Sequence, residues 1–304
     1  MIPRVLWAPK EGGASAAFHG MLVMALSSVI FSLMSLLVPL ASRASTYIVA
    51  SSRFVIGGIA IIVLGLFGIL RLKAVNWKWL VIRGLFGSVS VYLYYRGIVN
   101  LGLGLGTILN YTYPVFAAVL APIILKEKLS PDVIIAVAAS FIGIYMVVNP
   151  FGAGAAGGIL TVSVERLIGL LGGFLAAVAV VAIRKLRQTD SSSVIYLAQC
   201  AFGVLVIGWQ TAKSSWSFPA WIWLILLAIG VTATVAQLMM TYAYKHVPAT
   251  QGSILAFLVP VLNVILGVVV FHETMQPLAL AGSLIVLACC IYVALREKIV
   301  RLVG

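Results

Sequence analysis

Two arginines stand inside apolar stretches of the chain, where a charged side chain needs a partner. Arg53 lies in SSRFVIGG at 51–58, and Arg96 lies in YLYYRG at 92–97. The whole sequence holds only 7 acidic residues and 3 histidines, and none of them falls in the middle of an apolar stretch. A guanidinium group binds carboxylate and phosphate oxygens through two parallel hydrogen bonds. The two arginines are therefore candidates for binding an anionic group. The alternatives are that Arg53 hydrogen-bonds a neighbouring helix end as a structural residue, and that Arg96 extends its side chain to the end of its apolar stretch.

Neutral polar residues recur at helical spacing in several of the same apolar stretches. Residues three or four apart share one face of a helix, which defines four polar faces: Tyr92, Tyr95 and Arg96; Thr107, Asn110, Tyr111 and Pro114; Thr234, Gln237, Thr241 and Tyr244; Ser28, Ser32 and Ser35. We expect these faces to line a common cavity. The candidate ligand-binding residues are Arg53, Tyr92, Tyr95, Arg96, Asn110, Tyr111, Gln237 and Thr241. Hydroxyl side chains also join packed helices, and that alternative remains open for each of them.

The composition predicts the elements that position these residues. The chain has 304 residues, of which 63% are apolar and 9% charged, whereas a soluble domain carries about 25% charged residues. Apolar segments near 20 residues long match the thickness of a bilayer core. Ten of them follow one another, at about 18–41, 45–70, 77–99, 104–125, 131–148, 163–184, 192–211, 219–243, 248–271 and 278–296. We predict an all-α integral membrane protein whose solvent is the lipid bilayer.

The charge pattern orients the predicted spans. The net charge is +13, but the basic residues lie between apolar runs, which does not fit a nucleic-acid surface. With both termini cytoplasmic, only Arg43, Arg166 and Lys213 fall in external loops, as the positive-inside rule requires. This predicts that both termini are cytoplasmic; the membrane we expect is the inner membrane of a bacterium. Arg83 falls at the cytoplasmic mouth of span 3, where we expect it to anchor the interface. The 3 cysteines lie within spans, so we expect no disulfide framework, metal site or cofactor.

One signal occurs twice in the chain. Pro114, Glu127 and Pro131 are followed 146 residues later by Pro260, Glu273 and Pro277. This step carries span 4 onto span 9, and because each half has five spans, the second half enters the membrane inverted. We predict two inverted five-helix repeats at 18–148 and 163–296, a linker at 149–162, and cytoplasmic segments at 1–17 and 297–304. Such repeats are the architecture of many secondary transporters.

The repeated prolines and glutamates are candidates for gating. Pro114 and Pro260 each remove a backbone hydrogen bond within a predicted span, which breaks the helix near the site or only shapes its packing. Glu127 and Glu273 stand at span ends, where they form gates with nearby cations or cap a turn.

These motifs resemble the drug/metabolite transporter superfamily in its ten-span EamA-type form. The similarity rests on SSRFVIGG at 51–58, the segment from RGLFGS to YTYPVF at 83–116, and LKEKLSP and FHETMQP at 125–131 and 271–277. The start and far end of span 3 look closest to the solute carrier 35G-like branch. The resemblance covers the whole chain and implies a transporter, without indicating a substrate. Members commonly carry a small residue where this chain has Arg96.

Several functions remain open at this stage. The first is an alternating-access carrier of a small organic anion, in which alanine at Arg53 or Arg96 abolishes uptake. The second is an exporter of neutral or zwitterionic metabolites such as amino acids. The lack of buried acids favours facilitated diffusion or exchange over proton coupling. A membrane enzyme would need clustered acid and base groups, which this sequence does not show. A channel would need a filter sequence, and none is evident. Spans 5 and 10 are candidates for a homodimer contact.

Overall fold

The computed structural model describes residues 14–70, 72–125, 131–148, 163–246, 255–256, 258–274 and 276–303. Every regular element in this part of the chain is an α-helix, which confirms the predicted fold class. The helices are α1 (Ala14–Leu40), α2 (Thr46–Leu66), α3 (Trp77–Leu101), α4 (Leu103–Asn110), α5 (Tyr113–Leu125), α6 (Pro131–Val148), α7 (Val164–Leu186), α8 (Ser192–Lys213), α9 (Ala220–His246), α10 (Leu258–Phe271) and α11 (Pro277–Val303).

Helix lengths follow the predicted spans with one interruption. Five helices in the described residues are long and apolar enough to cross a membrane, at Phe18–Leu40, Thr46–Leu66, Val164–Ile183, Ser192–Lys213 and Ala220–Ala243. The predicted fourth span is instead two helices, α4 and α5, separated at Tyr111 and Thr112. Large apolar side chains point outward from the bundle, such as Leu66 and Leu205 with 82% and 73% exposed. Lipid is the solvent that suits such a surface.

Equivalent serines begin α2 and α8. The Ser45 hydroxyl accepts a hydrogen bond from the Ile48 N–H, and the Ser191 hydroxyl accepts one from the Val194 N–H. Each hydroxyl satisfies a backbone donor that the first helical turn leaves free. The two serines are 146 residues apart, so equivalent helices in the two halves begin with the same capping residue.

Two glycine contacts show that the halves are related by a pseudo-twofold axis. A methyl group added to Gly84 on α3 would collide with Phe202 on α8, and one added to Gly230 on α9 would collide with Ile56 on α2. The 146-residue step carries Gly84 onto Gly230 and Ile56 onto Phe202. One interface therefore occurs twice with its partners exchanged between halves, which agrees with the predicted inverted repeats. The 146-residue step likewise carries the contact between α1 and α9 onto the contact between α7 and α3. In addition, α6 packs on α11.

The connections define two ends of the bundle. The first end holds the α1–α2 turn, where the Ser45 hydroxyl lies 2.9 Å from that of Ser214. The second end holds the α2–α3 and α7–α8 connections, which the buried Asp190 joins. Its carboxylate accepts hydrogen bonds from the N–H groups of Val75 at 2.7 Å and Asn76 at 3.2 Å. The cavity described next lies between these ends.

Candidate functional site

A cavity of about 130 Å³ lies between the two halves and is lined by both. The first half contributes Met24, Ser27, Ser28, Phe31, Met34, Ser35, Arg53, Arg83, Gly87, Ser90, Val91, Tyr94, Asn110, Tyr111 and Tyr113. The second half contributes Ala176, Ala179, Val180, Ile183, Gln199, Gln237, Met240, Ala256 and Val259. The structure thus brings Arg53, Asn110, Tyr111 and Gln237 together in one cavity, as the polar faces led us to expect.

Arg53 reaches the cavity from α2. Its side chain is 4% exposed. The guanidinium donates to Gln237 Oε1 at 3.2 Å, and it stacks over the Phe31 ring with 5.7 Å to the ring centre. Its Nε is buried without a hydrogen-bond partner. In the described part of the chain no carboxylate forms an ion pair with it, so its charge stays uncompensated.

A second arginine enters the same cavity, contrary to the expected interfacial position of Arg83. Its side chain is 5% exposed and donates to Gln199 Oε1 at 2.8 Å. Gln199 in turn donates to the Gly87 carbonyl at 3.1 Å. The reason is Gly87 itself, because a methyl group there would collide with the Arg83 guanidinium. Sequence reasoning missed both Arg83 and Gln199, although a glutamine within an apolar span was a usable signal.

The face of α3 that lines the cavity is adjacent to the expected one. Arg83, Gly87, Ser90, Val91 and Tyr94 form the lining. Three expected residues lie elsewhere, and each has its own contacts. Tyr92 stacks on Tyr47 with 4.7 Å between ring centres, Tyr95 is fully buried with its hydroxyl 3.0 Å from Met34 Sδ, and Arg96 forms an ion pair with Glu165 at 2.6 Å.

Thr241 also stands behind the lining. Its hydroxyl donates to the Gln237 carbonyl at 2.7 Å and accepts from Gln237 Nε2 at 3.4 Å. Thr241 therefore orients Gln237, whose amide oxygen then faces Arg53. Elsewhere in the lining, the Ser90 hydroxyl donates to the Gly172 carbonyl at 2.8 Å. Asn110 Nδ2 donates to the Ser90 hydroxyl at 3.5 Å.

A polar layer lies on the first-end side of the cavity. Asn263 Nδ2 donates to the Tyr94 hydroxyl at 3.3 Å and to the Thr107 hydroxyl at 2.9 Å. The Tyr94 hydroxyl lies 2.8 Å from that of Ser35. Since the Ser35 hydroxyl donates to the Phe31 carbonyl at 2.8 Å, Tyr94 is the donor to Ser35. The layer connects α1, α3, α4 and α10.

Beyond this layer, Glu273 joins the two halves at the first end. Its Oε1 accepts the Leu103 N–H at 2.5 Å and its Oε2 accepts the Gly104 N–H at 3.0 Å. These N–H groups begin α4, where the helix dipole favours a carboxylate. Gly102 has a φ of 90°, and a methyl group at Gly102 or Gly267 would meet the Glu273 carboxylate. Glu273 thus caps a helix of the other half rather than its own turn.

The remaining expected gating residues are placed as follows. Pro260 lies in the first turn of α10 and is buried, and Pro114 is the second residue of α5, just after the break at 111–112. First-turn positions need no N–H donor, so Pro114 suits the start of α5. Glu127 lies outside the described residues.

Comparison with known proteins agrees with this architecture. The EamA-like transporter family matches residues 18–149 and again 165–295. The chain is 28% identical over 288 residues to the pseudopaline exporter CntI of Pseudomonas aeruginosa, covering 92% of this chain and 97% of that protein. It is 26% identical to human solute carrier family 35 member G1, covering 72% of this chain and 62% of that protein.

One solved crystal structure superposes on this chain with a TM-score of 0.63 and 20% sequence identity. The superposition covers 90% of this chain and 97% of the chain in that structure. That likeness shows the fold. The family match shows more than the fold, because it covers both repeats that enclose the cavity. The relatives found by sequence similarity include a protein described as an exporter. It confirms that the protein is a membrane transporter of small molecules rather than an enzyme. The chain belongs to the EamA-like transporter family.

Proposed function

We propose that the protein is an alternating-access carrier of a small organic anion, and that Arg53 binds the anionic group. The observation that carries this proposal is a guanidinium that is 4% exposed, lines the cavity and has an amide as its partner. Moving an unpaired charge out of water is unfavourable by several kcal/mol. A carboxylate or phosphate of the cargo would offset that penalty and use the unpaired Nε.

The arrangement of the two halves supports alternating access. The cavity lies between repeats of opposite orientation, and hydrogen bonds of the polar layer and of Glu273 join the two halves on its first-end side. Exchange of conformations between equivalent halves would open the first end and close the second. With both termini cytoplasmic, as the charge pattern predicts, the first end is external. A relative described as an exporter supports outward transport.

Ligand-dependent stability tests the anion assignment. Purified protein would be heated with organic acids, with neutral amino acids and with organic cations. A ligand that binds only the folded state at 100 times its Kd adds about 2.7 kcal/mol of stability. We expect organic acids to raise the melting temperature and the other classes to leave it unchanged.

Two variants make the test specific for Arg53. Arg53→Gln removes the charge, and Gln237→Glu places a permanent carboxylate next to it, so the cargo is no longer needed as counter-ion. Both should lose the response to acids, and Gln237→Glu should stay as stable as the parent protein. Stabilisation by neutral amino acids that survives in both variants would instead support an exporter of neutral or zwitterionic metabolites.

A further inference from the structure

The two buried arginines reach the same depth in the bundle from opposite ends. Arg53 is seven residues from the start of α2, about 11 Å along the helix, measured from the first end. Arg83 begins nearer the second end, but its guanidinium lies beside Gly87, ten residues or about 15 Å into α3. If α2 and α3 start at opposite edges of a bilayer core of about 30 Å, the Arg53 backbone and the Arg83 guanidinium both lie within about 4 Å of the midplane.

The arginines also occupy interfaces that the repeat makes equivalent. Arg53 on α2 pairs with Gln237 on α9, and Arg83 on α3 pairs with Gln199 on α8. The 146-residue step carries α2 onto α8 and α3 onto α9, and it carries Arg53 onto Gln199. The cavity is thus flanked on both sides of the pseudo-twofold axis by a guanidinium held by a neutral amide.

Each of these pairs leaves a full positive charge in place. An amide oxygen accepts a hydrogen bond but carries no net charge, and the Nε of both arginines is buried without a partner. Within the described residues the one ion pair is Arg96 with Glu165. Two like charges in a low-dielectric interior also repel each other. A cargo with one negative charge would neutralise only one of them.

We propose that the cargo carries two separate acidic groups, one bound by Arg53 and the other by Arg83. This rests on the proposed function and extends it from an organic anion to a diacid. The cavity of about 130 Å³ is small, which suits a short connection between the two groups. Gln199 and Gln237 act as positioning residues that orient the guanidinium groups without neutralising them.

The test compares diacids with their own half-esters on the purified full chain. The probes are linear dicarboxylates from malonate to adipate, the monomethyl ester of each, and inorganic phosphate. We expect at least one dicarboxylate to bind about tenfold more tightly than its ester, because hydrogen bonds to a charged group are worth that much or more. Inorganic phosphate carries about two negative charges on a single group, so it tests whether total charge or the separation of two acidic groups matters. We expect phosphate to bind no more tightly than a half-ester.

Variants assign the second acidic group to Arg83. Arg83→Gln and Gln199→Glu should each lower dicarboxylate affinity to that of the ester and leave ester affinity unchanged. Gln199→Glu guards against misfolding, since it keeps the arginine and adds its counter-charge. Arg83→Lys, which keeps the charge, should retain the preference for the diacid.

The outcomes separate this inference from the proposed function. If esters and dicarboxylates bind equally, or if Arg83→Gln and Gln199→Glu weaken both alike, the diacid inference fails while the anion carrier stands. If phosphate alone binds, the two-group arrangement is wrong. If no acid of any kind binds the parent protein, the proposed function fails as well.

Discussion

At the scale of single residues, the cavity depends on which atoms hold each guanidinium. Gln199 and Gln237 accept from Arg83 and Arg53 through an amide oxygen. A glutamate at either position would form an ion pair and fill the place that a cargo carboxylate would otherwise take. Neutral partners therefore keep the arginines oriented while their charge remains available.

Gly87 offers a direct test of how Arg83 is positioned. Gly87→Ala would place a methyl group against the Arg83 guanidinium and 3.3 Å from Gln199 Nε2, so the guanidinium must leave its position beside Gly87. We expect about tenfold or greater loss of dicarboxylate affinity, measured as Kd. The melting temperature should change little, because the atoms that must move are the end of a flexible side chain.

Gly208→Ala is the matched control for Gly87→Ala. It makes the same change within α8, where the nearest atom to the new methyl group is Val204 Cγ1 at 3.9 Å. Replacing glycine by alanine in a helix interior usually stabilises it by up to ~1 kcal/mol. Unchanged dicarboxylate affinity in Gly87→Ala would show that Arg83 does not take part in binding.

Residue spacing predicted part of the cavity and missed the rest for a physical reason. Arg53, Asn110 and Gln237 were found because a polar side chain deep in an apolar span is conspicuous. The depth of its backbone predicts an interfacial Arg83, whereas its side chain extends one helical turn further into the bundle, to Gly87. Spacing on α3 also fits two adjacent faces equally well, so it could not separate the Tyr92 face from the Tyr94 face.

At the scale of elements, the break between α4 and α5 brings polar groups to the cavity. α4 ends at Asn110 and the chain turns at 111–112 before α5 begins. Pro114 indicated a disruption in this span, but sequence alone did not place it before the proline. The break leaves α4 as an 8-residue helix whose position depends on α3 and on Glu273.

Two facing glycines test the α3–α4 contact. A methyl group on Gly106 would lie 2.6 Å from the Gly97 carbonyl carbon and the Ile98 nitrogen, both backbone atoms that cannot rotate away. A methyl group on Gly97 would lie 3.6 Å from Gly106 Cα, an ordinary contact. We expect Gly106→Ala to lower stability by ~1–3 kcal/mol and Gly97→Ala to change it little, as measured by thermal unfolding. Equal losses in the two variants would contradict this packing.

At the scale of the whole molecule, the proposed alternating access requires a second conformation in which the equivalent interfaces of the two halves are exchanged. The glycine contacts of α3 with α8 and of α9 with α2 are interchangeable by the 146-residue step. The first-end contacts of Glu273 involve residues that differ between the halves, since Leu103 and Gly104 correspond to Ala249 and Thr250. Such differences set which conformation is more populated.

Glu273 is the residue whose loss should shift this population. In Glu273→Gln the side chain keeps its shape, but it loses the charge that favours the start of α4 and turns an N–H donor toward one of the two backbone N–H groups. Hydrogen bonds to charged groups contribute about 1.5–3 kcal/mol. We therefore expect the first end to open about tenfold or more often than in the parent protein.

Thiol labelling measures that opening. Val91→Cys places a reactive group on the cavity wall, in a chain whose Cys200, Cys289 and Cys290 are serine. A membrane-impermeant reagent applied at the first end should label the introduced thiol faster in the Glu273→Gln background. Applied at the second end, it should label that thiol at the same rate in both backgrounds. Glu165→Gln is the control, because it removes a carboxylate at the same end that pairs with Arg96 instead of capping α4. If both glutamine variants accelerate labelling equally, net charge at that end would be the cause, and Glu273 would not be the clamp that closes it.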